Sequence, residues 1–297
     1  MFSFLWAGFT VAAAAAQTLR NAFQHDLTER LGAANAAFVR FLFGFPFAAA
    51  FFAGACLWLG APPLPGPRAL ALVCAACIAQ VLGTALMLAA MRERSFIVAT
   101  ILTKTEPAMI VLFDILVLAA PPSPAAIGGA ALATLGLLAM SPPGAAKLAG
   151  SGGSRAIWLG LGSAAAFGVS TLGFRAAVLA LETPNFILAG AEIAALALAV
   201  QTTAILLWLG AFDRPALRAI AAAWRGSLTA GAAGASSTIL WFFALALESA
   251  ARVRTLGLVE VVFAGLVSRR LFAKGATPRE WLGALLVCAG AALALNG

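Results

Sequence analysis

Charge is scarce in this chain: of its 297 residues only 10% are Asp, Glu, Lys or Arg, against roughly 25% in a soluble globular protein. A water-soluble domain of this length would bury a core but still need a polar surface, and there are too few charges to make one. That shortage excludes a soluble enzyme or nucleic-acid-binding domain. Histidine is scarcer still. His25 stands alone, which excludes a metal site built from several histidines. The four cysteines, Cys56, Cys74, Cys77 and Cys288, lie in or beside apolar stretches. Cys74 and Cys77 have CxxC spacing, but no second pair or histidine follows, so packed thiols are expected rather than a metal. No P-loop, Rossmann glycine pattern or zinc-protease string occurs, so no cofactor is expected. The net charge of +8 is not a nucleic-acid signal, because Lys and Arg sit mostly in short connectors instead of clustering on one face.

Apolar residues fill the space that charge leaves. They make up 63% of the chain and recur as segments of about 20 residues, the length that crosses a bilayer as a helix. Ten candidate helices result, at 2–23, 33–59, 69–91, 96–119, 124–140, 156–179, 186–209, 226–247, 253–272 and 278–295. The connectors are short and rich in proline and glycine. The first segment lacks the basic start of a secretory signal, so it reads as an uncleaved crossing. Residues 141–155 have linker composition, dominated by Pro, Gly and Ser, and leave five helices on each side.

The two halves share a spacing. Glu106 and Glu260 are 154 residues apart, and at that same offset Ser95 matches Ser249, Leu102 matches Leu256, Gly129 matches Gly283 and Gly136 matches Gly290. A common offset through three helices signals duplication. Five helices is an odd number, so a second copy would enter the membrane from the opposite side. The predicted fold is therefore an all-α integral membrane protein of ten transmembrane helices in two inverted five-helix repeats, 1–140 and 156–297. Such inverted repeats suggest alternating access around a site near mid-membrane.

The sequence resembles the EamA family of the drug/metabolite transporter superfamily. The resemblance rests on Ala90 to Leu102 followed by Thr105-Glu106-Pro107, on Gly128-Gly129 through Gly136, and on Ala244-Leu245, Ser249, Leu256, Glu260 and Gly283 through Gly290. The string Ala37-Phe38-Val39-Arg40-Phe41 resembles the arginine-bearing start of the family's second helix. There are departures: Glu260 is followed by Val261, Ala119-Ala120-Pro121 stands where a glutamate often occurs, and alanines replace the Trp-Gly signature of the first helix. Glu192 holds roughly the place in the seventh helix that Arg40 holds in the second. The resemblance implies a secondary transporter, not an enzyme, often an exporter of amino acids or other small metabolites.

Ionisable groups inside spanning helices are costly and usually face the bundle interior, a cavity or a partner. The candidates are Arg40, Lys104, Glu106, Asp114, Arg175, Glu192 and Glu260. Pro107 next to Glu106 removes a hydrogen bond and crowds the carbonyl near Thr103, so a kink is expected there. A carboxylate beside an opened turn could bind a cation, a proton or an amine; equally, Glu106 could bond Lys104, Arg40 or backbone and fix the kink. Gln17 and Asn21 share a helix face and, with Gln80, Thr84, Ser236, Ser237, Thr238 and Trp241, could line a path or pack helices together. Gly129 and Gly136, like Gly283 and Gly290, are seven apart on one side of their helices, as close helix approach requires. Glu248 and Arg252, four apart, are expected to form a surface pair, and His25, Asp26, Glu29 and Arg30 a solvated connector. The expected partners are the bilayer, a small-molecule solute and, through Glu106 or Glu260, protons; nucleic acid is not among them.

Orientation is contested. Thirteen Lys and Arg fall in odd-numbered connectors and four, Arg68, Arg175, Arg252 and Arg254, in even-numbered ones. The positive-inside rule then puts both termini outside, whereas the resemblance implies both inside the cell membrane. Three functions stay open at this level: export of a small metabolite, carriage of phosphorylated or nucleotide-linked solutes by Arg40, Lys104 and Arg175, and service as a non-transporting helper subunit.

Overall fold

The computed structural model describes residues 4–93, 101–117, 122–140, 153–272 and 277–296, and every regular element among them is helical. In chain order these are α1 (Leu5–Leu31), α2 (Ala33–Leu42), α3 (Phe45–Leu59), α4 (Pro67–Glu93), α5 (Glu106–Leu116), α6 (Pro124–Ala139), α7 (Gly153–Leu179), α8 (Phe186–Phe212), α9 (Arg214–Ala222), α10 (Trp224–Leu247), α11 (Ala250–Gly257), α12 (Val259–Phe272) and α13 (Pro278–Leu295). The expected linker lies outside the described residues over 141–152, as do Ser95 and the expected start of the fourth crossing at 96–100.

Among the described residues, six stretches are long and apolar enough to cross a membrane: α2 with α3, α4, α7, α8, α10 and α13. Length alone would admit α1, but Gln17, Arg20 and Asn21 dilute its apolar content. Large apolar side chains such as Leu57, Trp58, Ile78, Leu207 and Leu285 are exposed. In water such a surface would drive aggregation; against acyl chains it is the expected exterior. The interior is made largely of alanine and other small residues, which lets helix backbones approach closely.

The structure corrects four boundaries. The polar stretch His25 to Arg30 is not a connector but the last turns of α1, which has no breaker until Gly32 at φ 80°. The helix expected over 33–59 is interrupted at Phe43 and Gly44. Pro46 has no N–H for the carbonyl four residues back, and only glycine fits at 44, where a Cβ would stand 2.2 Å from the Arg40 carbonyl oxygen. The connector expected before residue 226 contains the amphipathic α9, capped by the Asp213 side chain, with Ala216 and Ile220 buried one turn apart. The helix expected over 253–272 begins instead at Ala250, capped by Ser249, and breaks at Leu258.

The helices gather into two compact units, each drawing on both halves of the sequence. Unit one holds Met1–Ala7, Ile78–Leu172 and Glu248–Gly297; unit two holds Gly8–Cys77 and Gly173–Leu247. In unit one, α6 and α13 pack most intimately. A Cβ on Gly129 would lie 2.7 Å from the Gly290 carbonyl oxygen, and one on Gly136 the same distance from that of Gly283. The start of α13 is fixed by a capping box between Thr277 and Glu280. In unit two, Phe243 gathers Phe9, Phe51 and Phe186, with ring centroids 5.4–6.0 Å apart. Cys77, buried in the same unit, donates to the Ala197 carbonyl at 3.6 Å.

Candidate functional site

In unit one the chain breaks two helices just ahead of its two matching glutamates. Residues 101–103 are helical, 104 and 105 form a turn, and α5 starts at Glu106. Pro107 denies the Thr103 carbonyl its helical donor, and the turn closes with tighter bonds from Lys104 N to Ile101 O and Thr105 N to Leu102 O, both 3.1 Å. The second break is at Leu258, which is 154 residues beyond Lys104. There Leu258 N donates to Thr255 O at 3.2 Å and α12 starts one residue before Glu260. Gly257 ends the preceding helix, so the second break forms without a proline.

The two breaks exchange charges. Lys104 Nζ reaches Glu260 Oε2 at 2.6 Å. Arg254, in α11, donates to Glu106 from Nε at 2.8 Å and from Nη2 at 2.5 Å, and Thr171 of α7 adds a third bond to Glu106 Oε1 at 2.7 Å. Glu260 also attracts Arg254. Each carboxylate thus takes its cation from the other half of the sequence. Both carboxylates are buried, at 8% and 7% side-chain exposure, while Arg254 and Lys104 keep 22% and 27%. The two-pronged contact of Arg254 is the stronger geometry, fixing the guanidinium plane as well as its charge. Thr103 donates to Ser163 Oγ at 3.5 Å and Ser163 to the Gly83 carbonyl at 2.8 Å, tying the broken segment to α7 and α4.

These placements resolve which partner Glu106 takes. It bonds neither Lys104 nor Arg40 but Arg254, a residue read from the sequence as a connector charge. Arg175, a candidate intramembrane charge that was also counted at a connector, lies in α7 and donates to the Leu245 carbonyl at 2.6 Å. Arg252 pairs with Glu248 at 2.7 Å, as expected for residues four apart, but also donates to the Ala294 and Leu295 carbonyls at the end of α13 and lies over the Trp6 ring. Its role is therefore more than a surface pair. Arg254, Thr171 and Ser163 were missed because their partners are 60 to 148 residues away in sequence, beyond any helical spacing. The one usable signal was that Arg254 falls inside an apolar stretch and so needs a counter-charge.

The other candidates divide between the units. Gln80, half-buried in α4, belongs to unit one with the ion pairs. Unit two holds Gln17, Asn21, Arg40, Glu192 and Trp241. There Trp241 Nε1 donates to Gln17 Oε1 at 3.1 Å, Ser237 donates to the Ala13 carbonyl at 3.1 Å, and Arg20 donates twice to Asn21 Oδ1. Glu192 is buried in α8, and its Oε2 has no hydrogen-bond partner. Arg40 stacks over Phe41 at 4.4 Å, with a buried and unbonded Nε. Among the described residues no group of three His, Cys, Asp or Glu side chains could hold a metal.

An all-helical apolar chain with two ion pairs set at helix breaks has the makings of a membrane transporter. The comparison with known families agrees: residues 2–141 match the EamA-like transporter family, a family of transporters and not of enzymes. A solved crystal structure of another protein superposes with TM-score 0.67 over 98% of this chain and 96% of that one, at 15% identity, which establishes a shared fold. No curated protein matches the sequence.

Proposed function

We propose that the protein is a secondary transporter of the cell membrane that exports a small metabolite, such as an amino acid or related compound, by alternating access. The observation that carries this reading is the crossed arrangement of Lys104–Glu260 and Arg254–Glu106 at two helix breaks 154 residues apart. Such an exchange supports the division into two inverted five-helix repeats, 1–140 and 156–297, joined by 141–155. Discontinuous helices that carry charge are a recurring feature of substrate and ion sites in carriers. Proton coupling is part of the proposal: opening either pair would free a carboxylate to take a proton on one side of the membrane and release it on the other.

The test is export from proteoliposomes loaded with a metabolite mixture, with and without an imposed pH gradient, for the wild type, Glu106→Gln and Glu260→Gln. Gradient-driven export should fall about a hundredfold or more in folded variants, the range typical of losing one proton-transfer group. Undiminished gradient-driven export by both variants would overturn the proton role. Failure of the wild type to move any solute would overturn transport itself.

A further inference from the structure

One end of unit two carries a basic cavity that the transport reading does not use. Its volume is about 320 Å³, and it lies between Leu27 and Arg30 of α1, the end of α9, and Trp224, Arg225 and Gly226 in the first turn of α10. A Cβ on Gly226 would stand 3.4 Å from Leu27 Cδ2, so α10 begins directly against α1. Leu27 is buried, whereas Arg30 and Arg225 are exposed, and among the described residues no carboxylate pairs with either arginine. Asp26 and Glu29 of α1 are exposed and stand outside the lining. The Arg225 guanidinium lies over the Trp224 ring, 5.4 Å from its centroid, a contact that steadies the cation without neutralising it. Ser227 N makes the first helical bond of α10, to Ala223 O at 3.1 Å, so the amides of Trp224, Arg225 and Gly226 have no acceptor in their own helix.

We infer that this cavity binds the phosphate group of an anionic membrane lipid. A guanidinium presents a planar fork of donors that fits phosphate, and basic pockets at the ends of spanning helices suit lipid headgroups. The free amides of the first turn of α10 add donors of the same polarity. The surroundings favour a lipid over a free phosphate. The short helix α9 joins the spanning helices α8 and α10; it buries Ala216 and Ile220 and exposes Arg214 and Arg218, four apart on its other face. Trp208 and Phe212 at the end of α8 and Trp224 at the start of α10 are exposed, and large aromatic rings in that position belong at headgroup level. Acyl chains can therefore lie on apolar surface while the phosphate meets Arg30 and Arg225. The inference holds whatever solute is carried.

The experiment titrates the purified full chain, in an uncharged detergent, with phosphatidylglycerol, phosphatidylcholine or sodium phosphate at matched ionic strength, following the unfolding temperature. Phosphatidylglycerol should raise it well beyond phosphatidylcholine, because a ligand of the folded state stabilises by mass action. Arg30→Gln and Arg225→Gln should each weaken the apparent affinity for phosphatidylglycerol about tenfold, as expected for one lost charged hydrogen bond, and the double variant should abolish the difference between the two lipids. Both side chains are exposed, so the variants should fold with little change in their own stability. Arg68→Gln, at an exposed arginine outside the cavity, should respond to lipid as the wild type does. Equal stabilisation by both lipids, or an undiminished phosphatidylglycerol effect in the double variant, overturns the site. So does an equal weakening in Arg68→Gln, which would reduce the effect to general surface charge. A response to sodium phosphate with none to phosphatidylglycerol overturns the lipid assignment in favour of a soluble phosphate.

Discussion

In unit one, Glu106 and Glu260 each have a cation within 2.6 Å, and both cations come from the far half of the sequence. In unit two, Arg40 and Glu192 lie in equally apolar helices, yet Arg40 Nε and Glu192 Oε2 bond to nothing. The same residue types therefore stand in opposite electrostatic conditions within one chain. Compensated charges stabilise the folded state as long as both members are present. Uncompensated ones destabilise it. This difference sorts the titratable residues better than burial does, because Glu106, Glu192 and Glu260 are all buried.

The sharpest way to break the comparison is one substitution made in both units. Glu106→Gln leaves Arg254 charged without its partner and should cost about 3–5 kcal/mol, read as a large fall in unfolding temperature, with Glu106→Gln/Arg254→Gln recovering most of it. Glu192→Gln, identical in chemistry, should leave stability unchanged or raise it by about 1 kcal/mol, because it removes an unsatisfied buried carboxylate. Equal losses in both variants would erase the distinction between the units. A smaller effect is expected at the glycine seam of unit one. Gly290→Ala, whose Cβ would meet the Gly129 carbonyl oxygen at 2.5 Å, should cost about 1–3 kcal/mol. Gly128→Ala, with nothing within 4 Å of its Cβ, should be neutral or slightly stabilising. The smallest effect belongs to Glu248→Gln, where loss of the pair with Arg252 should cost about 0.2–0.5 kcal/mol, since Arg252 keeps its carbonyl partners on α13.

What could be read in the sequence was what is local or periodic. Apolar length marked the spanning helices, Pro107 marked a break near Thr103, and the seven-residue glycine spacings marked helix faces able to approach closely. Pairings across the chain left no such mark. Arg254 looked like a helix-end charge because residue spacing says nothing about a partner 148 positions away. The break at Leu258 was also silent, because Val261 stands where its counterpart has Pro107. The missed α9 is different: Ala216 and Ile220 stand four apart behind an Asp-Arg-Pro start, and that amphipathic spacing was present in the sequence. Its shortness and its position between two long apolar helices made it resemble a connector.

The crossed quartet has an electrical consequence. Lys104, Glu106, Arg254 and Glu260 carry no net charge together. An elementary charge moved through a membrane potential of 100 mV gains or loses about 2.3 kcal/mol, but a neutral group of four moved as one body gains nothing. Helices that shift with both pairs closed would do so silently, whatever the voltage. The field's hold on the protein would then fall on charges without such a closed pair, Arg40 and Glu192 of unit two among them. Current recorded across a bilayer would report the movement of those charges, while the closed pairs of unit one would pass unseen.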